Sequence, residues 1–404
     1  MKFTIDKNTL LRELAFIQQT VADKRNAVPA LSHVRIEATG KRGIRLTGTD
    51  LDQTLTCETE GTVQKAGVCA LPGRKLFEIV KNLPAAEVCF EGKENDRMSV
   101  TCERANFRIA GLNPKDLPST PKFKEAAAQL PADVVAQMIE RTRFCITQEE
   151  SRYTLSGAKF ILRKKGVRMV STDGHRLALI DNRAVRSEGE LDVLIPKNAL
   201  AAVARLASAH EGAVGVACDD NHVYFEIGAR TLVARLLAGV FPNYEMVLPK
   251  GNDNKVQFEC EQLLQTVRRV AVMTDERSRG VVLEFTKDKL TVRAEEDEQG
   301  AAEETLDIEY DGEPTMIGMN ANYLAEYLSI LCSGALSFEF KDGRGAVLIR
   351  PVGEAGYNSL NVIMPMNVGN SAPATVSKSG VSGETTETVA EVPAEEEQPV
   401  AVAA

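Results

Sequence analysis

Apolar residues recur at helical spacing in six stretches of the chain. Leu10, Leu11, Leu14, Ile17 and Val21 share one face, with Asn8 placed to cap the helix ahead of them. Pro72 opens a second stretch, lined on one side by Leu76, Ile79, Val80 and Leu83; proline suits the first helical turn, where its missing N–H breaks no bond. Leu130 leads into Val134, Val135, Met138, Ile139 and Phe144, and Pro196 starts a run carrying Leu200, Val203 and Leu206. Leu263, Leu264, Val267, Val270 and Ala271 form the fifth, and Leu324, Tyr327, Leu328 and Leu331 the sixth. Each predicts an amphipathic helix with one buried stripe.

Between them, polar and apolar residues alternate in short runs, as at residues 2–5 and 256–259, which predicts strands. The clearest case is Val167 and Met169 running through Ser171-Thr172-Asp173-Gly174-His175-Arg176 into Leu177 and Leu179. This predicts two strands joined by an Asp-Gly hairpin turn. Such turns are common, and one histidine is weak evidence of chemistry.

The pattern repeats. Thr49-Asp50-Leu51 precedes Thr172-Asp173-Gly174 by 123 residues, Pro196 follows Pro72 by 124, and Met319 follows Pro196 by 123. Three α+β units at 1–125, 126–250 and 251–369 follow, each with two helices and many short strands. Residues 370–404 are mostly Ser, Ala, Thr, Val, Pro and Glu, without a periodic apolar face, and predict a disordered acidic tail.

Composition alters this picture little. The chain has 404 residues and a net charge of −9, of which the tail's six Glu and one Lys contribute −5. The remaining −4 leaves room for local basic surfaces. Eight cysteines lie scattered without a Cys-x-x-Cys pair, so neither a zinc site nor a disulfide framework is signalled. No apolar run approaches the roughly 18 to 20 residues that cross a bilayer, and the N-terminus lacks a signal-peptide core. A cytoplasmic protein is expected. Nothing calls for a cofactor or a metal.

Several motifs, in this order and spacing, carry a specific resemblance: Met1-Lys2-Phe3-Thr4, Thr47-Gly48-Thr49-Asp50-Leu51, Ser171 to Ala178, Phe241-Pro242-Asn243-Tyr244, Arg279-Gly280-Val281 and Met364-Pro365-Met366. Over about nine-tenths of its length the chain resembles the bacterial DNA polymerase III beta subunits, the sliding clamps. The resemblance implies an α+β fold of three clamp-type domains, each with two helices and antiparallel sheets. Two chains would pair head to tail into a ring around duplex DNA. It further implies a non-catalytic processivity factor that tethers the polymerase III core, the clamp loader and other partners.

The resemblance also implies particular residues. At the dimer interface they are Phe107 and Ile109 against Val272 and Met273, with Arg74, Lys75 and Arg104 facing Glu298, Glu303 and Glu304. The apolar contact would supply most of the affinity, because exposed ion pairs are weak. Cations expected to face the DNA are Lys24, Arg25, Lys81, Arg141, Arg143, Arg152, Lys197, Arg205, Arg268 and Arg269, with Tyr153 on the loop that carries Arg152. A few phosphate contacts attract DNA without reading its sequence, which permits sliding. A pocket for short apolar peptides would be lined by Leu155, Thr172, Gly174, His175, Arg176, Leu177, Pro242, Val247, Asn320, Tyr323, Met364, Pro365 and Met366.

Two departures stand out. Met246 and Ser278 occupy positions where the family's pattern leads one to expect a basic and a bulky apolar residue, which bears on the pocket's preferred peptide. The acidic tail follows directly from the segment bordering the pocket, and is either a solvating appendage or a competitor for partners. The rival reading is an enzyme built on the His175 turn, such as a nucleic-acid hydrolase. Ser171, Asp173 and His175 are neighbours along one hairpin and would not converge into a triad, and no Walker loop or Gly-x-Ser-x-Gly elbow is present. A three-domain interaction protein that never encircles DNA is a third reading.

Overall fold

The computed structural model describes residues 1–18, 20–21, 28–121, 123, 125–296, 300–331 and 333–367. Lys24, Arg25, Glu298 and the predicted tail therefore lie outside the described residues. The six expected helices are all present.

The first repeat runs β1 (Lys2–Asp6), α1 (Lys7–Ile17), β2 (His33–Thr39), β3 (Gly43–Thr49), β4 (Gln53–Glu60), β5 (Thr62–Lys65), β6 (Gly67–Pro72), α2 (Gly73–Lys81), β7 (Glu87–Gly92), β8 (Arg97–Cys102) and β9 (Ala105–Ala110). The second runs β10 (Ala128–Pro131), α3 (Ala132–Arg143), β11 (Gly157–Arg163), β12 (Gly166–Thr172), β13 (Arg176–Asn182), β14 (Leu191–Pro196), α4 (Lys197–Ser208), β15 (Ala213–Cys218), β16 (His222–Ile227) and β17 (Arg230–Arg235). The third runs β18 (Asn254–Glu259), α5 (Cys260–Val270), β19 (Gly280–Thr286), β20 (Lys289–Glu296), β21 (Gly300–Asp307), β22 (Thr315–Asn320), α6 (Ala321–Leu331), β23 (Ala335–Phe340), β24 (Val347–Pro351) and β25 (Tyr357–Ile363). Only β5 has no counterpart in the other two repeats.

Helix boundaries follow local chemistry. The cap of α1 is Asp6, whose Oδ2 accepts from the Thr9 N–H at 2.8 Å, and not Asn8, which lies inside the helix. A carboxylate at that end also complements the positive end of the helix dipole. Val21 falls beyond the end of α1 but is buried all the same. Pro72 and Pro196 stand immediately before α2 and α4 as their N-caps. Where the third repeat lacks proline, the Asn320 Oδ1 accepts from the N–H groups of Asn322 and Tyr323 and opens α6.

The sheets are all antiparallel and obey one rule. In each repeat the first strand and the last three form one half, to which β5 adds a fifth strand in the first repeat; the other four strands form another. The half β10-β15-β16-β17 joins β4-β3-β2-β6 of the first repeat through β17 and β4, giving eight strands. The half β14-β11-β12-β13 joins β25-β24-β23-β18 of the third repeat through β13 and β25, again giving eight. Two halves remain single: β5-β1-β7-β8-β9, ending on β9, and β21-β20-β19-β22, ending on β21.

The helices pack in pairs, α1 on α2, α3 on α4 and α5 on α6, and α3 lies against β12 and β13. One apolar core runs continuously through the first two repeats, a second fills the third, and a small third cluster including Leu177, Leu179, Phe241, Tyr244 and Val362 sits where the second and third meet. Burial of each large side chain contributes about 1.5–3 kcal/mol. Buried ion pairs span both junctions. The Glu13 carboxylate on α1 takes the Arg230 guanidinium from β17 through two bonds of 2.9 Å, and Arg141 on α3 pairs with Glu354 between β24 and β25.

Candidate functional site

Three residues, not two, connect β12 to β13, and their hydrogen bonds fix the turn. The Thr172 hydroxyl donates to the Arg176 carbonyl at 2.6 Å and accepts from the Gly174 N–H at 3.1 Å. The Asp173 Oδ1 accepts from the N–H groups of His175 and Arg176 at 2.9 and 3.0 Å. Gly174 has φ +93°, where L side chains are strained. The first repeat builds the same circuit: Thr49 Oγ1 donates to Gln53 O and accepts from Leu51 N–H, while Asp50 Oδ1 takes the N–H groups of Asp52 and Gln53. Here Leu51 holds φ +79°. The turn is therefore inherited scaffolding. What distinguishes the second copy is Gly174, His175 and Arg176 at its tip.

Arg176 is held from every side. Its guanidinium lies 4.2 Å from the Tyr323 ring and 5.3 Å from that of Phe144, and it bridges Asp173 at 3.0 Å and Glu326 at 2.6 Å. Its Nη2 donates to the Phe144 carbonyl at 2.9 Å. The arginine forms a wall between two cavities. On one side is an apolar pocket of about 120 Å³ lined by Leu155, Thr172, Gly174, His175, Arg176, Leu177, Pro242, Tyr244, Val247, Val362 and Met364. The Met364 N–H donates to the His175 carbonyl at 2.9 Å and zips the end of the third repeat onto the turn. On the other side lies a polar cavity of about 590 Å³ whose lining includes Arg143, Lys197, Tyr323 and Glu326. Burial, with Arg143 beside it, lowers the Lys197 pKa, and its Nζ donates to the Ile146 carbonyl at 3.2 Å.

Nine of the residues expected for the pocket line it, and four do not. Asn320 is engaged in capping α6 and in donating to the Ser278 carbonyl at 3.2 Å. Tyr323 stacks on Arg176 in the larger cavity. Pro365 and Met366 run past the mouth, where the Met366 N–H bonds the Gly318 carbonyl. Tyr244 and Val362 are additional wall residues. Tyr244 belonged to the quoted Phe-Pro-Asn-Tyr motif, and Val362 is two residues from Met364 in strand alternation, so both carried a signal. Met246 is exposed and Ser278 bonds Asp275, and neither reaches the lining.

The cations expected to meet DNA divide. Lys81, Arg143 and Arg205 are exposed in the last turns of their helices, where positive charge also suits the helix dipole. Arg268 is exposed and donates to Ser329 Oγ. Lys197 is half-buried, and Tyr153 is exposed beside Arg152, which is tied to Glu149 and to the Asp173 carbonyl. Arg141 is a correction: its side chain is only 11% exposed and is neutralised by Glu354. Arg269 is exposed and donates to Glu304 at 2.8 Å.

At the expected interface, Phe107 is exposed on the edge strand β9, with Arg104, Arg74 and Lys75 also exposed. Val272 is 77% exposed, and Met273 is half-buried against the core of the third repeat. Ile109 is a second correction, since it is 6% exposed and packs inside its own repeat. Glu303 and Glu304 pair within the same chain with Arg293 and Arg269, through exposed ion pairs.

Family models of the DNA polymerase III beta subunit match nearly all of the described body: the N-terminal domain over residues 1–121, the central domain over 129–243 and the C-terminal domain over 245–367. The chain belongs to this family. It is 31% identical to the beta sliding clamp of Pseudomonas putida over 375 residues, covering 91% of this chain and all of that one. It is 30% identical to the Escherichia coli beta sliding clamp over 372 residues, with the same coverage. The crystal structure of the Pseudomonas aeruginosa subunit superposes with a TM-score of 0.85 at 30% identity, over 91% of this chain and 100% of that one. A Bartonella birtlesii clamp solved with griselimycin bound gives the same TM-score, identity and coverage.

Proposed function

We propose that two copies of this chain close into a ring that carries DNA polymerase III along duplex DNA, and that the apolar pocket holds its partners. The function is that of the family: a processivity factor that encircles DNA without reading its sequence. The observation that carries the ring is the strand count. Each junction inside the chain joins the third strand of one repeat's outward half to the last strand of the next repeat, β4 to β17 and β13 to β25. The strands left over are the third-repeat equivalent of β4 and β13, which is β21, and the first-repeat equivalent of β17 and β25, which is β9. An unpaired edge templates another strand. Pairing β21 of one chain with β9 of its partner repeats the junction rule, and two such junctions related by a two-fold close the assembly. Phe107 and Val272 supply exposed apolar surface, and Arg74, Lys75 and Arg104 the polar rim.

Within the ring, the DNA-facing cations are Lys81, Arg143, Arg205 and Arg268, with Lys197 and the Arg152–Tyr153 loop beside the larger cavity. Few and exposed, they attract phosphate without gripping it. The partners are the polymerase core, the clamp loader and other proteins carrying apolar peptides. The domains divide near residues 125 and 250, where the family models leave off at 121 and 243 and resume at 129 and 245. The chain performs no chemistry of its own: the Ser171 hydroxyl is buried and donates to the Thr142 carbonyl, and Asp173 is consumed by its turn. No described helix is long and apolar enough to cross a membrane.

The test is retention on DNA. The protein is loaded onto a nicked circular plasmid with a clamp loader, the plasmid is linearised, and bound protein is followed. Loss on linearisation with retention on the circle is the expected result. Equal retention on both would mean surface binding and would end the ring reading.

A further inference from the structure

We propose that the cavity of about 370 Å³ on the strands beside the apolar pocket is an anion-recognition subsite, which receives acidic side chains flanking the apolar peptide of a partner protein. The inference rests on the pocket reading above and adds a charge preference to it.

The two cavities share a wall. The Tyr244 ring lines the apolar pocket, while its hydroxyl accepts from Arg168 Nη1 at 3.0 Å in the neighbouring cavity. Arg168 is itself fixed by the buried Asp181 carboxylate, through bonds of 2.5 and 3.0 Å, so it forms the floor and is not free to meet a ligand. The remaining cations stand at the rim. Lys165 and Arg183 are exposed, and among the described residues neither has a carboxylate within 4.0 Å. Arg163 shares the Asp192 carboxylate with Lys159, at 3.3 and 3.2 Å, which leaves positive charge in excess there as well. Against these stands one exposed acid, Glu245, 3.7 Å from Arg168. A positive concavity on a chain of net charge −9 selects for acidic ligands.

Its position favours a peptide over nucleic acid. Val167 and Met169 point from β12 into the core that contains α3, so Arg168, between them, points to the opposite sheet face. The cavity therefore lies away from the helix whose end carries Arg143. Along β12, Thr172 in the pocket and Arg168 in the subsite are four residues apart, or about 13 Å. An extended peptide anchored in the pocket thus brings an acid to the rim about four residues from its apolar side chains.

The experiment uses the full chain and four fluorescein-labelled peptides. Each has a Leu-Leu-Phe anchor joined through Gly-Ser-Gly to Asp-Asp or to Asn-Asn, with the extension at either end. In one orientation the Asp-Asp probe is expected to bind about fivefold tighter than its Asn-Asn twin at low salt, the yield of two exposed ion pairs. Lys165→Gln with Arg183→Gln, or raised salt, removes the difference and leaves the Asn-Asn probe unchanged. Equal affinity of the twins, or equal loss of both in the variant, overturns the subsite, while weakening of both by Met364→Ala in the pocket wall still upholds the pocket. Probes that fail to bind, or that Met364→Ala does not weaken, overturn the pocket reading and the subsite with it.

Discussion

Replacing Arg141 by glutamine separates a structural cation from a DNA-binding one. The guanidinium is almost wholly buried at the second junction and pairs with Glu354, whose side chain is 25% exposed. Removing one member of a buried pair leaves the other charge unpaired, at a cost of about 3–5 kcal/mol when burial is complete. The partial exposure of Glu354 lets water recover some of that, so about 2 kcal/mol is expected for Arg141→Gln. In a protein of this size, that lowers the apparent Tm by a few degrees in differential scanning calorimetry. Adding Glu354→Gln removes the orphaned charge and restores most of the loss, a coupling that the double-mutant cycle measures directly. DNA affinity gives the opposing readout. A cation that neutralises one phosphate contributes about 0.9 to the slope of log K against log salt. The slope for Arg141→Gln is therefore expected to equal that of the parent. A slope lowered by about 0.9 with an unchanged Tm would refute the assignment and return Arg141 to the DNA face.

Four further outcomes are expected. Met364→Ala, at a half-exposed position on the pocket mouth, weakens binding of a Leu-Leu-Phe peptide in calorimetric titration with little change in Tm, whereas loss of both would make the residue structural. Phe107→Asp or Val272→Asp yields monomers in analytical ultracentrifugation, while leaving each chain folded because both side chains are exposed. Arg230 and Arg12 bonded to Glu13 outweigh the effect of burial and hold its pKa below the ordinary 4.5. A depressed carboxylate stabilises the fold above its unfolded pKa and loses that contribution as pH falls through the folded one; the Tm gap between parent and Glu13→Gln is thus full at neutral pH and closes only under acid conditions. Leu51→Gly raises stability by about 1 kcal/mol in denaturant titration, because φ +79° is strained for leucine and its side chain is 59% exposed.

The helices, most strands and the threefold repeat were legible along the chain because each depends on neighbours a few residues apart. The apolar stripe of α5 and the prolines before α2 and α4 are local facts, and a period near 123 needs only comparison of the chain with itself. The Asp-Gly turn was legible as a turn for the same reason, although its three-residue length was set by how β12 and β13 register across it. Within the pocket, Thr172, Gly174 to Leu177, Pro242 and Met364 lie in the quoted motifs, and Leu155 and Val247 followed from the resemblance those motifs carry. Arg176 as a wall between two cavities could not be read from them, since Phe144, Tyr323 and Glu326 reach it from α3 and α6, far away in sequence.

Charge was the property least accessible to the sequence. An arginine reads the same whether it meets water, phosphate or a carboxylate, and only packing brought Glu354 to Arg141, Glu304 to Arg269 and Asp181 to Arg168. Ile109 shows the same limit for apolar residues, because Phe107 and Ile109 lie on one face of β9, yet only the former escapes the core. The sequence by itself determined which elements form and that they form three times, through short-range periodicity. Which strands stayed unpaired, and which cations stayed free, was decided by contacts between residues that only the tertiary structure brings together.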